Sequence, residues 1–581
     1  MRRLLVALAL AFAGVSAARA EPVSSAPPPA TTSAPSFGHY APLEAFPEIV
    51  SHSLYLPMRD GVKIALRIDR PARGGKAADG RFPVIWHGAL NIAPDPTRRG
   101  TEPGLRDLPN LAKYGYVVVQ IARRGNGQSF GERRGYHDRN EAQDAYEITQ
   151  WLAAQPWSDG KVGIYGCSNT GDAAMHAITV RPPALKAVFA GCFSWHKYDP
   201  FRRGGIFAQW GTGPSRTIAQ DMDTVPVEGD ADKTMLRQAA EEHQRSTNLL
   251  EMWKQLPYRD SFSSLVASRF WQEGSAADYA DQIRRSGVAL YILGGWYDEL
   301  RDQGLIARMN VPDARILIGP WQHCTNDDFP LFEEVHRFFD AELKGIDTGF
   351  TSEPPIHYFT IGAPAATAWR TTTSWPLAGT RTERRFFGAG TLGERAGSAK
   401  PASFAVNYDV HCPTENDGPF AQPCHNAGAG VSFADKVLGA NKEVTGHPVA
   451  TVWMAADARD ADVFAYLEDV ALDGTVVVVT EGRLKASLRA TTTAPWAMPT
   501  GVPWHRAFAE DAAPLTPGEP VKLDIDLMPT SYIFKAGHRV QLTITGADPR
   551  QRARDPGLAK TISVYADAAH PSAVDLPVIP R

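Results

Sequence analysis

The sequence predicts an α/β fold with a mostly parallel sheet, followed by an all-β region, and three short stretches carry that expectation. Gly166-Cys167-Ser168-Asn169-Thr170-Gly171, Gly294-Gly295-Trp296-Tyr297-Asp298 and Gly319-Pro320-Trp321-Gln322-His323 each follow a short apolar, β-branched run. These runs are Val162-Gly163-Ile164-Tyr165, Val288-Ala289-Leu290-Tyr291-Ile292-Leu293 and Ile316-Leu317-Ile318. A serine, an aspartate and a histidine therefore sit just past three predicted strand ends, in the chain order of an α/β-hydrolase triad.

The flanking elements fit the same plan. Pro83-Val84-Ile85-Trp86 and Tyr116-Val117-Val118-Val119-Gln120 read as buried strands. Between 138 and 155 the apolar residues Ala142, Ala145, Ile148, Trp151 and Leu152 fall at helical spacing. Strand, helix from about Asn169, and strand Lys186-Ala187-Val188-Phe189-Ala190 follow. This β-α-β alternation predicts a sheet covered on both faces. It stops over residues 196–285, where charge-rich helical runs predict an inserted cap. The sheet resumes at Val288, and a helix from Phe332 to Lys344 closes the first domain. The catalytic domain is thus expected over 46–195 and 286–349. From residue 350 to 581, short β-like runs separated by Gly, Pro and Asp turns predict a jelly roll.

The chain has 581 residues, 43% hydrophobic and 21% charged, with a net charge of −4. Such length calls for more than one core, and the charge gives no footprint for nucleic acid or an anionic membrane surface. Arg2-Arg3, an apolar run from Leu4 to Val15 and Ala18-Arg19-Ala20 read as a signal peptide cleaved after Ala20. Residues 21–45 read as a Pro/Ser-rich lead-in. A periplasmic or secreted protein with no further membrane span is expected. Of the five cysteines, Cys412 and Cys424 bracket a short loop and are expected to pair. Cys167, Cys192 and Cys324 are read as buried small apolar residues, with a second bridge among them left open. No cysteine spacing suggests a metal site.

The residues assign roles. Ser168 is the expected nucleophile at a sharp strand-to-helix turn, with the helix directing its positive end toward a developing oxyanion. His323 would take and return the proton, and Asp298 would orient the imidazole; Glu299 and Asp302 compete for the acid role. One oxyanion donor is expected from the backbone N–H of Asn169, the other from the loop His87-Gly88-Ala89-Leu90-Asn91. Gly125-Asn126-Gly127 after a strand resembles a nucleotide fingerprint, but no helix follows and no acidic ribose ligand is placed, so a structural loop is expected. Trp195, Tyr198, Phe207, Trp210 and Trp296 would wall an apolar acyl site, or simply pack.

Several stretches together resemble the CocE/NonD-type serine hydrolases, which include cocaine esterase, α-amino acid ester hydrolases, glutaryl-cephalosporin acylases and, more distantly, X-Pro dipeptidyl peptidases. They are Met58-Arg59-Asp60-Gly61-Val62, the run Arg124 to Gly131, the run Trp157 to Gly163, the three motifs above, Leu515-Thr516-Pro517-Gly518-Glu519-Pro520 and Phe534-Lys535-Ala536-Gly537-His538-Arg539. The resemblance implies a capped α/β-hydrolase domain plus jelly roll, the triad Ser168, Asp298 and His323, and acyl-enzyme chemistry without a cofactor. It also implies an oxyanion-hole Tyr after the strand at Pro83. This chain has none between Trp86 and Gly100, so Asn91 or His87 is expected to substitute. Cleavage of a small ester or amide is the first expectation. An X-Pro dipeptidyl peptidase is the second, needing Asp199, Asp221, Asp223, Glu228 or Glu299 to hold the substrate ammonium. A non-catalytic binding module is the third.

Overall fold

The computed structural model describes residues 36–92, 107–207, 216–326, 329–412, 423–425, 428–551 and 554–580. The expected signal peptide, most of the lead-in and Trp210 lie outside the described residues. Among the described residues no helix is long and apolar enough to cross a membrane.

The first half is built on an eleven-stranded sheet. Its strands are β1 (Glu48–Pro57), β2 (Lys63–Arg73), β3 (Lys76–Ala77), β4 (Phe82–Ala89), β5 (Val117–Ala122), β6 (Ser158–Cys167), β7 (Leu185–Gly191), β8 (Ala289–Gly295), β9 (Arg315–Gly319), β10 (Ile356–Phe359) and β11 (Trp369–Thr372). The spatial order is β1-β2-β5-β4-β6-β7-β8-β9-β10-β11, with β3 on β2. From β5 through β10 every neighbouring pair is parallel. Antiparallel strands finish both edges. The central strands β5, β6 and β7 are almost wholly buried, which explains their continuous apolar sequences. Helices α1 (Arg139–Ala153) and α2 (Asn169–Thr179) cross between β5, β6 and β7.

The alternation breaks where expected. Between β7 and β8 come α3 (Tyr198–Arg202), α4 (Ile218–Met222), α5 (Thr234–His243), α6 (Leu249–Lys254), α7 (Phe270–Glu273) and α8 (Ala280–Arg284). Helices α9 (Arg301–Asn310) and α10 (Leu331–Phe339) then follow β8 and β9. One expectation needs correction. Strands β10 and β11 lie beyond residue 350 yet extend the large sheet, β10 pairing in parallel with β9, so the sheet ends at Thr372.

Among the described residues, the remaining chain forms thirteen strands in two sheets, β12 (Arg381–Phe387) through β24 (Ala573–Val578). The smaller sheet runs β15 (Gly430–Ala434), β22 (Arg539–Thr545), β18 (Asp462–Val470) and β19 (Val476–Lys485). All their pairings are antiparallel. A shared core including Phe433, Val452, Met454, Leu467 and Leu542 fills the space between the sheets. This is the expected all-β architecture. Its seam with the first half is both apolar and polar: Ile206 packs with Phe464 and Tyr466, Arg203, paired with Asp302 at 2.7 Å, reaches Asp526 at 3.3 Å, and Arg301 reaches Thr480 at 3.3 Å.

Candidate active site

Ser168 stands between β6 and α2 with φ 60° and ψ −128°, a backbone state that L-residues hold only when their surroundings force it. The force comes from close packing. A Cβ on Gly166 would lie 2.1 Å from the Thr170 carbonyl, and one on Gly171 would lie 2.4 Å from the Gly191 carbonyl. Both positions therefore require glycine. Ser168 N–H donates to Gly191 O at 2.9 Å, and Thr170 Oγ1 closes the turn on Cys167 at 2.8 Å. Ser168 and Asn169 keep partial exposure at the mouth of this turn.

Two further strand ends complete the arrangement. The loops after β8 and β9 are pinned together by Trp296 N–H to Gly319 O at 2.8 Å and Tyr297 N–H to Trp321 O at 2.9 Å. His323 Nε2 lies 2.7 Å from Ser168 Oγ and Nδ1 lies 2.9 Å from Asp298 Oδ1. The three side chains thus meet within hydrogen-bond reach, as a nucleophile, base and orienting acid require. Asp298 is 1% exposed. Burial pushes its carboxyl up, but the His323 charge and hydrogen bond, the Cys192 thiol and the Leu300 N–H outweigh it and hold the group below the usual carboxylate range. The competing acids are engaged elsewhere: Asp302 with Arg203, and Glu299 near Arg483 and Arg550.

The cysteines overturn the expectation of three buried apolar residues. Cys167 and Cys324 form a disulfide joining the residue before Ser168 to the residue after His323. Cys192, at the end of β7, has its sulfur within 4.8 Å of both and accepts from Cys324 N–H at 3.4 Å. Cys412 and Cys424 are bonded to each other, as the sequence suggests. Among the described residues, the groups able to hold a metal are Cys167/Cys192/Cys324 and Cys192/Asp298/His323. The first contains a disulfide, and the second has its carboxylate and imidazole committed to each other.

Other expected residues fare differently. His87 lies inside β4 and is 2% exposed; its Nδ1 donates to the Tyr165 carbonyl at 3.0 Å. It ties β4 to β6, so the oxyanion role expected for it passes to packing. Asn91 is exposed on the loop after β4, with its Cα and Cβ against Gly127. Trp195, Tyr198 and Trp296 are 0–1% exposed. Trp195 and Trp296 belong to the main core, and Tyr198 with Phe207 to a cap cluster around Trp253 and Trp271. Their expected role as a substrate wall is corrected to packing, because apolar ring area gains most by leaving water. The glycine-rich loop is structural, as expected. Gln128 bonds Ile92 and Val225, Ser129 bonds Ala65 and Ala122, and Arg124 bonds Asp144 and Asp60.

Sequence reasoning missed the residues behind Ser168. His137 Nε2 contacts the Asn169 carbonyl at 2.8 Å, Lys197 Nζ contacts His137 Nδ1 at 2.5 Å, and Arg123 donates to Asn169 Oδ1. No local motif marks them, since Arg123 and His137 stand at opposite ends of the β5–α1 connection and Lys197 follows β7.

A serine at a strained turn after β6, a buried carboxylate after β8 and an imidazole after β9 meet at one edge of a parallel sheet, the arrangement of a serine hydrolase of the α/β-hydrolase class. Comparison with known proteins sharpens the class. Residues 60–325 match the X-Pro dipeptidyl-peptidase (S15 family), and residues 348–574 match the X-Pro dipeptidyl-peptidase C-terminal non-catalytic domain. A Mycobacterium bovis protein provisionally named a serine esterase is 30% identical over 91% of this chain and 95% of its own. The cocaine esterase of Rhodococcus sp. is 26% identical over 92% and 99%. A CocE/NonD family hydrolase from Staphylococcus aureus shares the fold, with a TM-score of 0.71 at 19% identity over 92% of this chain and 94% of its own. The chain belongs to the CocE/NonD and S15 family of serine hydrolases and is a hydrolytic enzyme.

Proposed function

We propose that the protein is an exported esterase or amidase that works through an acyl-enzyme on Ser168. The carrying observation is the continuous chain from Ser168 Oγ through the His323 ring to the buried Asp298 carboxylate. In the acylation step Ser168 Oγ attacks the substrate carbonyl carbon while His323 Nε2 takes the hydroxyl proton. The tetrahedral oxyanion is held by the Asn169 N–H, with the exposed Asn91 amide as the second donor. His323 then protonates the leaving alcohol or amine, and the C–O or C–N bond breaks. Water, deprotonated by the same imidazole, releases the acid. Asp298 keeps Nδ1–H in place and stabilises the imidazolium.

An ester substrate is favoured over an X-Pro peptide by the carboxylates. An aminopeptidase must commit an acid to the substrate ammonium. Asp199 is paired with Arg259 at 2.8 Å, Asp221 with Arg216 and His243 at 2.8 Å each, and Glu299 sits beside Arg483 and Arg550. Asp223 and Glu228 are exposed on the cap. The relatives named as esterases agree with that choice. Turnover of p-nitrophenyl butyrate against Ala-Pro-p-nitroanilide tests it: faster ester cleavage is expected, and a strong preference for the dipeptide amide would reverse the order. A fluorophosphonate probe should label wild type and not Ser168→Ala. Asp298→Asn should lower kcat by about 10⁴ through the wrong imidazole tautomer.

A further inference from the structure

Behind the turn that carries Ser168 lies a cluster whose cost needs a reason. Lys197 follows β7 and is 1% exposed, and His137 holds φ 61° without being glycine. A buried ammonium and a left-handed non-glycine backbone are both unfavourable unless the surroundings over-determine them. Two of the cluster's bonds end on Asn169, and a third, from Lys197, backs His137. We propose that His137, Lys197 and Arg123 are positioning residues that fix Asn169, the oxyanion-binding residue, a role resting on the assignment of Ser168 as nucleophile.

The protons follow from the donors. An ammonium has only hydrogens to give. Lys197 Nζ, 2.5 Å from His137 Nδ1, therefore makes that nitrogen the acceptor. Burial first, and then the charges of Lys197 and Arg123, hold the His137 imidazolium well below its ordinary range, so the ring is neutral. A neutral ring accepting at Nδ1 carries its hydrogen on Nε2, and this N–H donates to the Asn169 carbonyl at 2.8 Å. Lys197 is itself held by Asp172 Oδ2 at 3.4 Å, and Asp172 Oδ1 accepts from Ser194 N–H at 2.6 Å. On the other side, Arg123 donates one guanidinium nitrogen to Asn169 Oδ1 while another binds Glu141 at 2.8 Å. Both oxygens of Asn169 are thus claimed from behind. The Asn169 N–H lies in the preceding peptide, whose Ser168 carbonyl accepts from Asp172 N–H at 2.9 Å; holding the Asn169 carbonyl and side chain fixes the Cα from which that N–H projects. A preorganised donor costs nothing to reorient during reaction, which is where oxyanion stabilisation gains its strength.

The test separates positioning from mere support of the fold. His137→Leu and Lys197→Met should each lower kcat for p-nitrophenyl butyrate by about 10- to 100-fold, less than outright loss of a donor, with KM within about twofold. A phenylboronic acid, which forms a tetrahedral adduct on Ser168, should bind more weakly by the same factor. His137→Gln keeps an amide N–H able to reach the Asn169 carbonyl and should recover most of the loss. A folded His137→Leu enzyme with full kcat, or a lowered Tm with unchanged boronate affinity, overturns the proposal. If His137→Leu and Lys197→Met do not fold, Arg123→Lys decides on the same two readouts, expected to fall together. Full turnover in Ser168→Ala would instead sink the nucleophile assignment; an inert Ser168→Ala beside an unimpaired His137→Leu sinks only the positioning role.

Discussion

The two disulfides lie in regions built on opposite principles. Cys412–Cys424 closes a separation of 12 residues within one loop of the β-rich half. Cys167–Cys324 closes 157 residues and joins the end of β6 to the loop after β9, strands separated in the sheet by β7 and β8. Backbone ladders connect neighbours only, so no main-chain hydrogen bond between β6 and β9 can fix the distance from Ser168 to His323. The long bridge supplies that connection, and Cys192 at the end of the intervening β7 sits against it. The sheet sets the directions of the three loops, and a covalent link sets one separation that hydrogen bonding alone does not. Strain gathers in the same place. Among the described residues, eight non-glycine positions have positive φ, and Ser168, Cys192, Cys324 and His137 are four of them.

Removing the long bridge gives the sharpest test. By chain entropy, its 157-residue separation corresponds to about 5 kcal/mol. The double variant Cys167→Ala/Cys324→Ala should lose a stability of that order in denaturant titration. Its kcat should also fall, because the His323 loop is no longer tethered to the Ser168 turn. Unchanged kcat in the folded variant would reduce the bridge to a staple. The short bridge should behave differently: Cys412→Ser/Cys424→Ser should lose about 3 kcal/mol for its 12-residue separation, with kcat untouched. Cys192→Ala should cost less again, about 1 kcal/mol for the hydrogen bonds of a small buried group. It should also slow turnover several-fold, since the thiol faces Asp298; equal turnover would show that Asp298 needs only His323 and Leu300.

A further expected effect concerns pH at the seam between the two halves. His196 is buried, and burial pushes its imidazolium down to about 4. The unfolded chain binds this proton below about 6.5, so the folded state resists protonation there. Stability contributed by neutral His196 is therefore present above 6.5 and is lost as pH falls toward 4. His196→Gln should flatten the fall in urea midpoint across that window; an unchanged slope would assign the dependence to other buried histidines such as His357, pushed down to about 4 by burial.

The sequence exposes this molecule unevenly. The β-α-β alternation, the cap between β7 and β8, the all-β second half and the strand-end placement of Ser168, Asp298 and His323 were all legible, because periodicity and glycine-rich turns are local signals. The Cys167–Cys324 bond was not, since it depends on the lateral spacing of strands that are distant in sequence. Aromatic residues misled for a related reason: Trp195, Tyr198 and Trp296 look equally suited to a cleft wall and to a core, and only packing tells which. His87 was placed on a loop because the strand was read as ending at Trp86; pairing with β5 carries it on to Ala89. The Lys197–His137–Asn169 chain had no signature at all, being assembled from loops 60 and 32 residues apart.

The strands past residue 350 carry a practical lesson for anyone cutting this gene. Ile356, His357 and Tyr358 lie alongside Ile316, Leu317 and Ile318, directly beneath the loop bearing the imidazole. A fragment stopped at the apparent border would bare a raw, adhesive flank of backbone amides and should clump during expression. Even one trimmed after Thr372 would strip Arg203 of Asp526 and Arg301 of Thr480. The two halves should therefore be produced, purified and engineered as a single piece.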